Sequence, residues 1–139
     1  MKMRLFFFTL LLSLALCLPA MAQTKDFGKF KMLVPAGWTD AVDGSTVSLK
    51  APDKSAAITI TIGDREGASA AVIAKAFSKE FNGSAPEEDE DGDCTFTFKN
   101  ASGVDAHAAV SIEGKNFILI TLTGEHPDAD KILESIEEK

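Results

Sequence analysis

The sequence predicts an α+β domain: an antiparallel β-sheet with helices packed on it. Three stretches carry that prediction. Phe117-Ile118-Leu119-Ile120-Thr121-Leu122 is a β-forming run with apolar residues at odd and even positions alike, the pattern of a central strand covered on both faces. Ile58, Ile60 and Ile62 alternate with Thr59 and Thr61, as in a strand with one buried face. Between residues 70 and 81, Ile73, Ala76, Phe77 and Phe81 recur at helical spacing behind Ser69, a residue type that caps helices.

The chain begins with Lys2 and Arg4, continues through an apolar segment from Leu5 to Leu16 and reaches Ala20-Met21-Ala22. A short basic start, an apolar stretch too short for a comfortable membrane span, and small residues before a cut describe a secretory signal peptide over residues 1–22, cleaved after Ala22. The rival reading, a lipoprotein acylated at Cys17, is opposed by the bulk of Leu16. Cleavage leaves residues 23–139 as one domain, large enough for a real core. The expected location is the bacterial periplasm or the exterior, with no membrane span after cleavage.

Loss of Lys2 and Arg4 leaves 12 basic against 21 acidic side chains, a net charge of −9. So anionic a surface argues against nucleic acid or anionic lipid as a partner. Cys94 is the single cysteine left, so no internal disulfide can form and stability must come from packing.

Phe27 to Val34 reads as a first strand ended by Pro35, followed by a turn at Ala36-Gly37. Trp38 to Val42 and Thr46 to Lys50 read as a hairpin, because Asp43-Gly44 tolerates the positive φ of a tight turn. The isoleucine strand comes next, then the helix over 70–81, which Asn82-Gly83 would stop. Glu80 is expected at the edge of its apolar side. Cys94 to Lys99 and Val104 to Ile112 form two further strands around Asn100-Ala101-Ser102-Gly103. A two-residue loop of Gly114-Lys115 places Ile112 opposite Phe117, Val110 opposite Leu119 and Ala108 opposite Thr121. Ser111, Ala109 and His107 then oppose Ile118, Ile120 and Leu122, giving a face of small residues against which a helix could lie. A last helix is expected from about Pro127 to Glu137, with Asp128 and Asp130 near its positive end.

Phe30-Lys31-Met32-Leu33-Val34-Pro35-Ala36-Gly37-Trp38, a mid-chain helix, and a two-strand ending closed by Ile132-Leu133-Glu134-Ser135-Ile136 together resemble the PsbP-like α/β/α sandwich family. That family is named after an extrinsic subunit of photosystem II and includes a eukaryotic nuclear-import factor and many small bacterial secreted proteins. The resemblance spans nearly all of residues 27–137. It implies a fold rather than an activity: members act as binding subunits, assembly factors, chaperones and lipoproteins, and no catalytic residue set travels with them. No site residue is therefore carried over.

The acidic run from Glu87 to Asp93 is the most unusual local feature. Glu87, Asp89 and Asp91 fall on the first three ligand positions of a calcium loop and Gly92 on its glycine, but the twelfth position, which needs a bidentate Glu, is Phe98. Weak binding of Ca²⁺ or Mn²⁺ by Glu87, Asp89, Asp91 and Asp93 competes with a solvated loop that merely aids solubility. Cys94 and His107 would make a nucleophilic pair if they shared a face. One strand register places them diagonally on the same face. A shift by one residue instead sets Cys94, Phe96 and Phe98 among Ala106, Ala108 and Val110, which segregates apolar residues better and is preferred. Cys94 is then a small core residue, and His107, opposite Leu122 on a covered strand, is structural. His126, before Pro127, suits a capping or exposed role. Trp38 either lines a pocket or plugs the core.

Asn82-Gly83-Ser84 and Asn100-Ala101-Ser102 match the glycosylation pattern and are read as turns. The sequence contains no H-E-x-x-H, cysteine pair, G-x-S-x-G, phosphate loop or dinucleotide fingerprint, and no cofactor is implied. The expected function is a non-enzymatic periplasmic binding or accessory protein of the cell envelope, working on an envelope or periplasmic protein partner. The alternatives are a divalent-cation binder using residues 87 to 93 and an enzyme using Cys94.

Overall fold

A computed structural model describes residues 22–139; the expected signal peptide, all but Ala22, and Cys17 lie outside the described residues. The elements are β1 (Gln23–Asp26), β2 (Phe30–Val34), β3 (Thr39–Asp43), β4 (Thr46–Lys50), β5 (Ala56–Asp64), α1 (Ala70–Glu80), β6 (Glu87–Glu88), β7 (Cys94–Lys99), β8 (Asp105–Glu113), β9 (Asn116–Gly124), α2 (Ala129–Glu134) and β10 (Glu137–Glu138).

Seven strands form the main sheet in the order β3-β4-β5-β9-β8-β7-β6, and β1-β2-β10 form a smaller one. Every paired strand runs antiparallel to its neighbour. The run expected to be central, in β9, is the fourth of seven strands. Its partnership with β8 has the register set by the Gly114-Lys115 loop: Ile112 opposes Phe117, Val110 opposes Leu119 and His107 opposes Leu122. Between β7 and β8 the register is the one preferred for apolar segregation, with Cys94 opposite Val110, Phe96 opposite Ala108 and Phe98 opposite Ala106.

Strand periodicity sorts the core into two clusters, one on each face of the main sheet. On the first face Ile58, Ile60 and Ile62 of β5 and Ile118 of β9 meet Phe30, Met32, Val34, Trp38 and Ile132, contributed by the small sheet, the loop after it and α2. Ile58, Ile60, Met32 and Ile132 are fully buried, so truncating any one of them to alanine costs about 2–5 kcal/mol. On the second face α1 covers Cys94, Phe96, Ala108, Val110 and Leu119.

Several expectations are corrected. The first strand begins at Phe30, because Asp26 Oδ1 accepts from Gly28 N at 2.8 Å and turns the chain beforehand. Residues 23–26 form a strand of their own on β2. Ser69 does cap α1, accepting from Val72 N at 3.3 Å. The buried stripe of that helix, however, is Ala70, Ala74 and Ser78, flanked by Ile73 and Phe77, while Ala76 is exposed. The polar Ser78 is tolerated inside because its hydroxyl donates to Ser84 O at 2.5 Å. The helix therefore lies on the face carrying Val110 and Leu119, not on the face of small residues. The last helix is also shorter than expected, six residues. Ser135 stops it, with Oγ donating to Ile132 O at 2.6 Å while accepting from Leu33 N at 2.8 Å, and the chain continues as β10.

Candidate functional site

That short α2 leaves part of the first face uncovered. The small sheet and α2 roof β4, β5 and one end of β9, but over β7, β8 and the far end of β9 the roof stops. A cleft of about 630 Å³ opens there, within the size range of small-ligand sites. Its floor is two adjacent rows that cross the sheet. One runs Glu87, Thr95, Ala109, Ile120; the next runs Thr97, His107, Leu122. Leu133 of α2 forms the wall at the apolar end, and Ser84 and Ala85 form the wall at the sheet edge.

The floor is graded. At the sheet edge stand a carboxylate, two threonine hydroxyls and an imidazole; towards the centre stand Ala109, Ile120, Leu122 and Leu133. Ile120 and Leu122 are only half-buried, whereas their row partners on β5, Ile60 and Ile58, are fully buried. The central strand is thus covered on both faces at one end and open to the cleft at the other. The segment from Ser84 to Glu88 is fixed along β7: Ser84 N donates to Thr97 O at 2.8 Å, and Ser84 Oγ accepts from Thr97 N at 2.9 Å. Gly83 makes the approach possible, since a Cβ there would sit 2.7 Å from Thr97 O. Ser84 and Thr97 spend their hydroxyls on each other. Glu87, Thr95 and His107 make no side-chain hydrogen bond among the described residues.

The candidates from the sequence are scattered around this cleft rather than gathered in it. Glu87 is on its rim. Asp89 instead shapes the β6–β7 turn: its Oδ1 accepts from Asp91 N at 2.9 Å and from Asp93 N at 3.0 Å. Burial, and after it Asp89, Asp91 and Glu113, push the Asp93 carboxyl above its ordinary value. Among the described residues no three His, Cys, Asp or Glu side chains are grouped so as to hold a metal ion.

Cys94 is buried at 1 % exposure against α1. Burial and the nearby Glu88, Asp89 and Asp93 push its thiol up, away from the thiolate form a nucleophile needs. His107 points to the opposite face of the sheet, so the two are not a pair. His107 is exposed on the cleft floor, not covered as expected. Trp38 is buried at 6 % in the first cluster, its ring edge-on to His126 with centroids 5.1 Å apart. It also borders a small cavity of about 160 Å³ beside Gln23 and Lys25. His126 uses Nδ1 to accept from Asp128 N at 3.0 Å, ahead of α2. The cleft itself escaped the sequence reading. Its only signal was the grading of Glu87, Thr95 and Ala109 towards Ile120, visible once the three registers are known.

No helix among the described residues is long and apolar enough to cross a membrane. No protein-family model matches the sequence, and no curated protein matches it. Solved structures do. Cyanobacterial PsbP (CyanoP) from Synechocystis aligns with 88 % of this chain and 95 % of its own length, at 16 % identity and a TM-score of 0.56. A structure from Bacteroides thetaiotaomicron aligns with 88 % of this chain and 49 % of its own, at 14 % identity and a TM-score of 0.54. The chain has the α+β, PsbP-like fold.

Proposed function

We propose that this PsbP-like domain is exported and serves, without catalysing a reaction, as a binding or accessory module of the cell envelope. The observation that carries the reading is the cleft: an apolar sheet surface left without a roof and lined by polar groups, of which Glu87, Thr95 and His107 make no side-chain hydrogen bond among the described residues. Apolar concave surface with a few convergent polar groups is the usual form of a binding site. The N-terminal sequence supports export. Separation of Cys94 and His107 onto opposite faces supports a role in binding rather than thiol chemistry.

Pull-down from bacterial envelope extract tests the reading, with the mature domain compared against Ala109→Phe, a change that fills the cleft floor. The expected result is an envelope protein recovered by the natural domain and lost with the variant. Recovery of the same proteins by both, or of none by either, overturns it.

A further inference from the structure

The grading of the cleft floor also specifies what enters. We infer that the cleft takes an aliphatic chain ending in an ammonium group, a small cationic amphiphile, with its chain towards Leu133 and its head at Glu87. The inference rests on the reading of the cleft as a binding surface and adds the chemistry of the ligand.

Orientation follows from the two floor rows. Neighbouring strands are about 4.8 Å apart, so the row from Glu87 on β6 to Ile120 on β9 spans about 14 Å. Along it the surface passes from carboxylate to hydroxyl to methyl to branched aliphatic. Ala109 is the key to depth. It stands at the middle of the row with the smallest side chain there, and the larger Leu133, Ile120 and Leu122 rise around the inner end. A flexible alkyl chain lies in such a trough, covering Ile120 and Leu122, which are otherwise left half-exposed on a central strand.

Charge decides the head. The lining contains no Lys or Arg, and its only ionisable side chains are Glu87 and His107. Glu87 has no ion pair among the described residues, and Glu88, Asp89, Glu90 and Asp91 follow it directly in the chain. With a net charge of −9 on the mature sequence, the field at the rim repels an anion and attracts a cation. Thr95, next to Glu87 in the row, offers a hydroxyl oxygen as a second acceptor. An ammonium group, with three donors and no acceptor, matches that pair; a carboxylate head does not.

Isothermal titration of the mature domain tests the inference, with decylammonium and decanoate each below its micelle concentration and decanol below its solubility limit. Saturable binding of decylammonium tighter than about 1 mM is expected, at least fivefold tighter than decanoate, with decanol between. Glu87→Gln should collapse the preference for the amine to less than twofold, and so should 0.5 M salt, since an exposed carboxylate is screened. Ala109→Phe should weaken all three ligands at least tenfold. Leu133→Gln, a milder change in the wall, should do the same in part and serves if the phenylalanine variant does not fold. No binding of decylammonium, equal binding of amine and carboxylate, or binding indifferent to both Ala109→Phe and Leu133→Gln overturns the inference. Loss of a captured protein on Ala109→Phe without any decylammonium binding would leave the binding module standing and remove only this ligand class.

Discussion

Gly67 and Gly124 offer a matched pair for testing how closely the end of β9 packs against Ser55. Both have left-handed backbones, with φ of +76° and +73°, so an alanine at either position carries the same intrinsic penalty of about 1–2 kcal/mol. Their surroundings differ. A Cβ on Gly67 meets nothing within 4 Å, whereas a Cβ on Gly124, at the end of β9, would overlap the carbonyl oxygen of Ser55 and lie 3.1 Å from its carbon. The same oxygen accepts from Glu125 N at 3.2 Å. Gly124→Ala must therefore push the two backbones apart, adding about 1–3 kcal/mol of overpacking and about 1 kcal/mol for the hydrogen bond.

Gly67→Ala is expected to lose about 1–2 kcal/mol and Gly124→Ala about 3–6 kcal/mol. At roughly 4 °C per kcal/mol for a domain of this size, the melting temperatures fall by about 4–8 °C and by at least about 12 °C. Circular dichroism melts give both numbers, and emission from Trp38, the single tryptophan, gives an independent check on the buried cluster. Equal losses for the two variants would refute the close approach of β9 to Ser55.

Two other outcomes are expected. Burial and then Glu113 hold the Glu138 carboxyl above its ordinary value. The native state thus binds that proton more tightly than the unfolded chain, and stability declines as pH rises from the ordinary glutamate range through the raised value. Glu113→Gln should raise the melting temperature at pH 7 and give no gain near pH 3; an unchanged melt at pH 7 would count against the contact. Millimolar Ca²⁺ or Mn²⁺ should leave the melting temperature of the mature domain unchanged, because Asp89 Oδ1 already serves two backbone amides of its own turn; a rise of several degrees would favour the cation-binding alternative instead.

Most of the main sheet was legible because side-chain period and loop length both constrain register. Gly114-Lys115 fixed β8 against β9, and the wish to keep Cys94, Phe96 and Phe98 with small apolar partners fixed β7 against β8. What escaped had no side-chain signature. Residues 23–26 and 137–138 are strands only because both edges of β2 offer free backbone groups; Gln23, Lys25, Glu137 and Glu138 carry no alternation to announce them. A serine such as Ser78 carries no apolar signal for the buried stripe of α1, and its burial rests on a carbonyl six residues further on. The apolar run of β9 reads as covered on both faces, so His107, opposite Leu122, is expected under cover; in the structure it is exposed on the cleft floor.

The pairing of β5 with β9 has a kinetic side. Thr59 and Thr121 bond to each other across 62 positions of sequence, and between them lie α1, β6, β7 and β8. The two strands at the middle of the sheet thus come from distant parts of the chain, and the first face of the core cannot close until both are present. Such non-local pairing slows folding, because loop closure must precede the contacts that reward it. For a chain bound for export, as proposed here, that delay keeps it threadable: until β9 is made, β5 lacks its partner at the middle of the sheet.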